Sequence, residues 1–260
     1  MSVAPGQALH AEWTKFRTVA GPAWLLAGVI ALTVAAGAAA DCAAQCSSAA
    51  CGLDPAKVSF TGVYLGQAVV AVAGVLAVGN EYSTGMVTLS LTAMPGRLTW
   101  LFAKAAVLTG PVLIASALAA AGSALAGRLI LPGHGFTSAH GYASLTAAAD
   151  YRAAFGPALY LTLIALLSLG VAAAVRDSAA AIGLVLGAAY LFPLAAAVIS
   201  NVPISRHLQQ IGPLPAGLDA QATIGLQNLP LTPWQGVGVV ALWAVGALLA
   251  GGFALRFRDV

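Results

Sequence analysis

Apolar residues run along this chain for about 20 positions at a time, six times over, and polar residues collect between the runs. The runs cover 19–40, 58–78, 105–126, 155–175, 178–200 and 234–255. A helix of ~20 residues crosses a hydrocarbon core of ~30 Å. No run carries Asp, Glu, Lys, Arg or His near its middle. The pattern predicts an all-α polytopic membrane protein of six transmembrane helices, with 1–260 forming a single membrane-spanning domain.

Shorter patterns sit between and before the runs. Leu9, Trp13, Phe16 and Ala20 recur at helical spacing, with Glu12, Lys15 and Thr18 on the other side. This reads as an amphipathic helix at the membrane interface, Trp13 at headgroup depth and Lys15 and Arg17 in the aqueous layer. The alternative is a first span whose start merely looks amphipathic. Gly21-Pro22 argues for a bend between the two elements.

The loop 79–104 is ambiguous: Val87, Leu89 and Leu91 alternate as in a strand, while Met86, Leu89 and Ala93 fit a helix. A lone strand has no partner in such a chain, so a helix ended by Pro95-Gly96 is expected. Segment 131–152 mixes Gly, Ser and His and reads as an irregular loop. Segment 201–233 carries Pro203, Pro213, Pro215, Pro230 and Pro233, which forbid a seventh span. Short helices near 205–211 and 216–226, lying at or dipping into the outer interface, suit it better. Whether it caps a cavity or merely connects two spans stays open.

Composition agrees: 60% of residues are hydrophobic and 7% charged, against about 25% charged in a soluble domain. The net charge of +3 is too small to suggest nucleic acid. With the N-terminus inside, Lys15, Arg17, Arg97, Lys104, Arg176, Arg256 and Arg258 fall in the cytoplasm, and Lys57, Arg128, Arg152 and Arg206 outside. The positive-inside rule favours that orientation, which puts both termini in the cytoplasm. Ala38-Ala39-Ala40 mimics a signal-peptidase site, but the run before it exceeds the usual ~7–15-residue signal core, so an uncleaved first span is expected.

Cys42, Cys46 and Cys51 share the first outer loop, where the compartment is oxidising, so one disulfide and one spare thiol are expected. A metal site joining them to His134 and His140 is disfavoured, because the histidines sit in another loop. Gly62 with Gly66, and Gly183 with Gly187, have the spacing that lets helix backbones approach closely, in a bundle or at a dimer seam.

The chain offers little catalytic chemistry. Its lysines, Lys15, Lys57 and Lys104, follow no Gly-rich phosphate loop, so nucleotide-driven work would come from another polypeptide. Ser116, Ser123, Thr162 and Ser168 have no His or Asp at membrane depth to activate them and are read as bonding helix backbones. An ion-coupled carrier would need a titratable group within the bilayer, or helices broken at Pro111 and Pro193 to hold sodium. Small apolar residues with Tyr64, Tyr160 and Tyr190 suit an amphiphilic or hydrophobic cargo.

Three stretches carry a family likeness. They are Ala11-Glu12-Trp13-Thr14-Lys15-Phe16-Arg17-Thr18, then Asn80-Glu81-Tyr82 with Gly85, Leu91-Thr92-Ala93 and Pro95, and a closing half. That half holds Arg176-Asp177-Ser178, Arg206-His207-Leu208-Gln209, Gln221-Ala222, Pro233-Trp234 and Arg256-Phe257-Arg258-Asp259. The chain resembles the permease subunits of type-2, exporter-class ABC transporters of the actinobacterial kind. The resemblance implies two permeases, as homodimer or heterodimer, paired with separate ATPase subunits that bind the ATP, in the bacterial plasma membrane. It makes about 81–94 the coupling helix, with Glu81, Tyr82, Gly85, Leu89, Leu91 and Met94 meeting the ATPase. It makes about 7–18 the interfacial helix, with Leu9, Trp13, Lys15, Phe16 and Arg17. Relatives often carry basic residues where Ala20, Thr88 and Gly96 stand, so the expected contact is less charged here. The expected function is export, without catalysis or a cofactor of the chain's own. An ion-coupled carrier and a non-transporting anchor are the alternatives.

Overall fold

The structure is a computed structural model; it describes residues 5–46, 52–93, 96–136 and 148–257, and for Pro5, Leu91, Ala93 and 148–151 the backbone alone. The fold is all-α, with six helices long and apolar enough to cross a membrane. The end of the bundle that holds α1 and the C-terminal turn of α11 is here called proximal, and the opposite end distal.

Helix α1 (Pro5–Thr18) lies before the first span, α2 (Ala20–Ala43). The break falls at Val19, whose backbone is extended, and not at Gly21-Pro22. Those two residues occupy the first turn of α2, where a proline forfeits no helical hydrogen bond. Asp54 caps α3 (Pro55–Ser59) by accepting from the N–H groups of Ala56 and Lys57. A 3-10 turn then leads into α4 (Val63–Ser83), and together these make the second span, Pro55–Ser83. α5 (Met86–Ala93) is short, and α6 (Arg97–Ile130) is the longest element. At ~1.5 Å per residue α6 measures about 50 Å, well beyond a ~30 Å hydrocarbon layer. α7 (Ala148–Val175), α8 (Ser178–Val198) and α11 (Pro233–Phe257) complete the spans; α9 (Val202–Ile211) and α10 (Pro213–Leu218) lie between the last two.

α7 is the central post. Of its most apolar stretch 67% is buried, against 17% for α2 and 22% for α8 and α11. It packs on α11, α4, α6 and α8. Small residues allow these approaches. A Cβ on Gly170 would stand 2.5 Å from the Ala247 carbonyl carbon, so α7 and α11 touch through their backbones. A Cβ on Gly62 would meet the Thr33 carbonyl oxygen at 1.8 Å, and one on Gly66 the Thr33 hydroxyl at 2.1 Å. That pair therefore seals α4 to α2. Among the described residues Gly183 has open space around it and Gly187 meets only Leu191 of its own helix, so the second glycine pair packs against no other described element.

Several expectations are corrected. Segment 131–152 is helical at both ends, since α6 and a 3-10 turn (Leu131–His134) run into it and α7 begins at Ala148. α6 and α8 pass unbroken through Pro111 and Pro193. The second short helix of the 201–233 segment starts earlier than 216 and ends at Leu218, followed by 3-10 turns at Asp219–Gln221 and Leu226–Asn228. Thr162 and Ser168 donate to the carbonyls of Ala158 and Ile164 at 2.7 Å, as expected. Ser116 and Ser123 are buried without a partner among the described residues, contrary to expectation.

Cys46 is disulfide-bonded and Cys42 is a free, exposed thiol; Cys51, His140 and Met94 lie outside the described residues. Cys46 also packs with Leu131 and Phe136, and its N–H donates to His134 carbonyl at 3.0 Å.

Candidate functional site

The loop 79–104 is mostly helix, but not one helix over 81–94. Glu81 and Tyr82 end α4; α5 starts afresh at Met86. Gly85 stands between them at φ +69°, the left-handed conformation that a Cβ disfavours. Its N–H donates to the Tyr82 carbonyl, and Thr84 N–H and hydroxyl both return to Asn80 carbonyl. This is a glycine-terminated helix end. It turns the chain so that Val87 and Ser90 are buried while Met86 and Leu89 face out. Leu89 is 70% exposed.

Ser90 points at a cluster of four charges. Lys104 Nζ donates to Glu12 Oε2 at 2.8 Å and to Glu81 Oε1 at 2.7 Å. Lys15 Nζ donates to Glu12 Oε1 and Glu81 Oε1, both at 3.0 Å, and to Ser90 Oγ at 3.2 Å. Ser90 Oγ in turn donates to Glu81 Oε2 at 3.3 Å. Lys104 also lies 5.1 Å from the centre of the buried Trp100 ring, within cation–π range. Two carboxylates balance two ammoniums, so the cluster is neutral overall. The side chains of Glu12 and Lys104 are 5% exposed and that of Glu81 10%, whereas Lys15 is 37% exposed. Desolvation lowers the Lys15 pKa, but its hydrogen bonds to Glu12 and Glu81 and their charges outweigh that and leave it raised.

The cluster joins α1, α4, α5 and α6. Lys15, expected to extend into the aqueous layer, turns partly into the cluster while 37% of its side chain stays exposed. The polar side of α1, with Ala8 and Glu12 buried, packs on the bundle, while Leu9 and Trp13 are exposed and Trp13 stacks on Phe16. Arg17 is exposed. Glu12 and Lys104 were absent from the residues expected to matter. The available signal is Lys104 itself, a lysine abutting the apolar run 105–126, where burial demands a counter-charge.

Tyr82 is half-buried under the Arg176 guanidinium, 5.8 Å from ring centre. Arg176 is, among the described residues, the non-glycine residue at positive φ, 65°, and it donates to Ala254 carbonyl at 3.2 Å. Arg97 donates to Leu255 carbonyl. The end of α11 is thus held by arginines from two other helix ends.

The segment between α9 and α11 packs onto the distal end of the bundle. Its stretch from Pro213 to Ala222 is largely buried among α7, α8 and α11. Asp54, besides capping α3, accepts from Thr223 N–H and hydroxyl at 2.7 Å each and from Ile224 N–H at 3.1 Å. Arg152 donates to Ala222 carbonyl at 2.6 Å. Asp219 is buried, its Oδ2 without a partner among the described residues. Burial raises its pKa to about 6, Lys57 opposing. Nearby, Tyr160 donates to Gln67, and a Cβ on Gly217 would strike the Tyr160 ring. When the chain is compared with known proteins, no family model matches it and no curated protein matches it significantly.

Proposed function

We propose that this chain is the membrane-spanning subunit of an ATP-driven exporter, of the type-2 ABC permease kind, coupled to a separate ATPase subunit. The observation that carries the reading is α5. One side of this uncharged helix is locked by Ser90 into a four-charge cluster, and the other side presents Leu89 and Met86 outward. An exposed apolar helix face that is rigidly tied to three other helices is suited to receive force from a docked protein and pass it on. The four-charge cluster makes the α1–α4–α5–α6 corner one body, so motion of α5 reaches the second and third spans.

In this reading the proximal face is cytoplasmic, the membrane is the bacterial plasma membrane, and a second permease copy or a paralogue completes the pathway. ATP stays on the partner, so the chain needs no cofactor and catalyses nothing. The cargo is amphiphilic or hydrophobic, matching a bundle of Ala, Gly, Leu and Val. Leu89→Asp is the direct test. It leaves the cluster intact, and it should keep the protein in the membrane while reducing ATPase copurification and export about tenfold or more. Undiminished copurification with a companion ATPase removes α5 as the docking element.

A second reading gains one observation. Asp219, which lies outside the apolar runs, is carried into the bundle, where an ion-coupled carrier would need a titratable group. Transport that survives ATP depletion and collapses with the proton gradient would favour it.

A further inference from the structure

A cavity of about 410 Å³ opens beside the charge cluster, between α1, α2, α4 and α6. That volume falls within the ~300–1,000 Å³ of small-molecule sites. Along the spans its wall is hydrocarbon, supplied by Leu25, Leu26, Leu76, Ala77 and Leu108. Its proximal end, the rim, carries Glu12, Lys15, Glu81 and Lys104. The arrangement is an apolar bore with charge at one end.

The charges of the rim are unequally accessible. Lys15 is more than a third exposed, while the other three are 10% exposed or less. An entering group therefore meets the Lys15 ammonium first, where an anion takes the place of Ser90 Oγ, the longest of its three contacts. The depth is set by α1. Its Leu9 and Trp13 are exposed, at 40% and 41%, and an interfacial tryptophan sits at headgroup level. The rim thus lies where lipid phosphates lie, and the bore runs from there along the spans towards the acyl chains.

We propose that this cavity holds one acyl chain of a phospholipid from the proximal leaflet, with its phosphate against Lys15. A phospholipid matches both halves of the site, and no other amphiphile is as abundant at that depth. The proposal stands on the cavity and its rim and is independent of the exporter reading.

The experiment uses the purified full-length protein in neutral detergent. It is titrated with lysophosphatidylglycerol, which has one chain and one phosphate, and with a monoacylglycerol of the same chain length. Binding is read by native mass spectrometry and by thermal unfolding. The wild type should bind one lysophosphatidylglycerol per chain, unfold at higher temperature with it, and bind the monoacylglycerol about tenfold more weakly. Ala77→Trp, which fills the bore without touching a charge, should abolish binding; Ala77→Leu is the milder plug and should weaken it. Lys15→Gln should bind both amphiphiles alike. Equal affinity of the wild type for the two amphiphiles, or undiminished binding by both plugged variants, overturns the proposal. So does failure of the wild type to bind either, as when a second copy of the chain closes the cavity.

Discussion

Asp219 shows how one residue can carry a pH dependence that its sequence position conceals. It sits among prolines and alanines in a stretch that reads as connecting loop, yet it is buried, with one oxygen that has no partner among the described residues. Its carboxyl titrates at about 6 in place of 3.8 because burial disfavours the charged form. The folded protein therefore binds more protons than the unfolded chain between these values, and stability falls as pH rises through that window. Asp219→Asn removes this slope. Thermal unfolding of the variant should vary less between pH 4 and about 6 than the wild type does, and the variant should be the more stable of the two at pH 7. An unaltered slope would mean that other groups control it.

At the scale of elements, the two glycine pairs separate spacing from packing. Both have four-residue spacing, but among the described residues only Gly62 and Gly66 meet another helix, the first at the Thr33 carbonyl and the second at the Thr33 side chain. Gly62→Ala drives a methyl into the Thr33 carbonyl and should cost about 1–3 kcal/mol, the range for overpacking a tight contact. Gly183→Ala should change the stability of the isolated chain by a few tenths of a kcal/mol at most. Unfolding in a mild detergent titration compares the two directly. The spans themselves were legible because lipid imposes a length and forbids charge, and both constraints are local to each run. The break at Gly85 was also written locally, as a glycine following an Asn-Glu-Tyr-Ser-Thr helix end, but loop periodicity alone masked it. Which of two identical glycine spacings packs depends on neighbours distant in sequence. The periodicity of α1 misleads for the same reason: its polar side is needed by Lys104, 92 residues from Glu12.

For the molecule as a whole, the charge cluster matters because its four charges come from three different helices and Ser90 ties in a fourth. Such ion pairs contribute little against a well-packed apolar replacement, yet losing one partner strands a buried charge at about 3–5 kcal/mol. Lys104→Met should therefore destabilise the fold strongly, and the double variant Lys104→Met with Glu12→Gln should recover part of that loss. A double-mutant cycle on thermal unfolding measures the recovery; strict additivity would dissolve the network into independent pairs. This part of the site was not legible, since a lysine announces its need for an acid but not which acid answers.

The second span holds one further consequence. Asp54 clasps the distal segment from the beginning of this rod, and Glu81 grips the proximal ammoniums near its finish. Sliding the rod lengthwise by a single helical turn would unfasten both ends together.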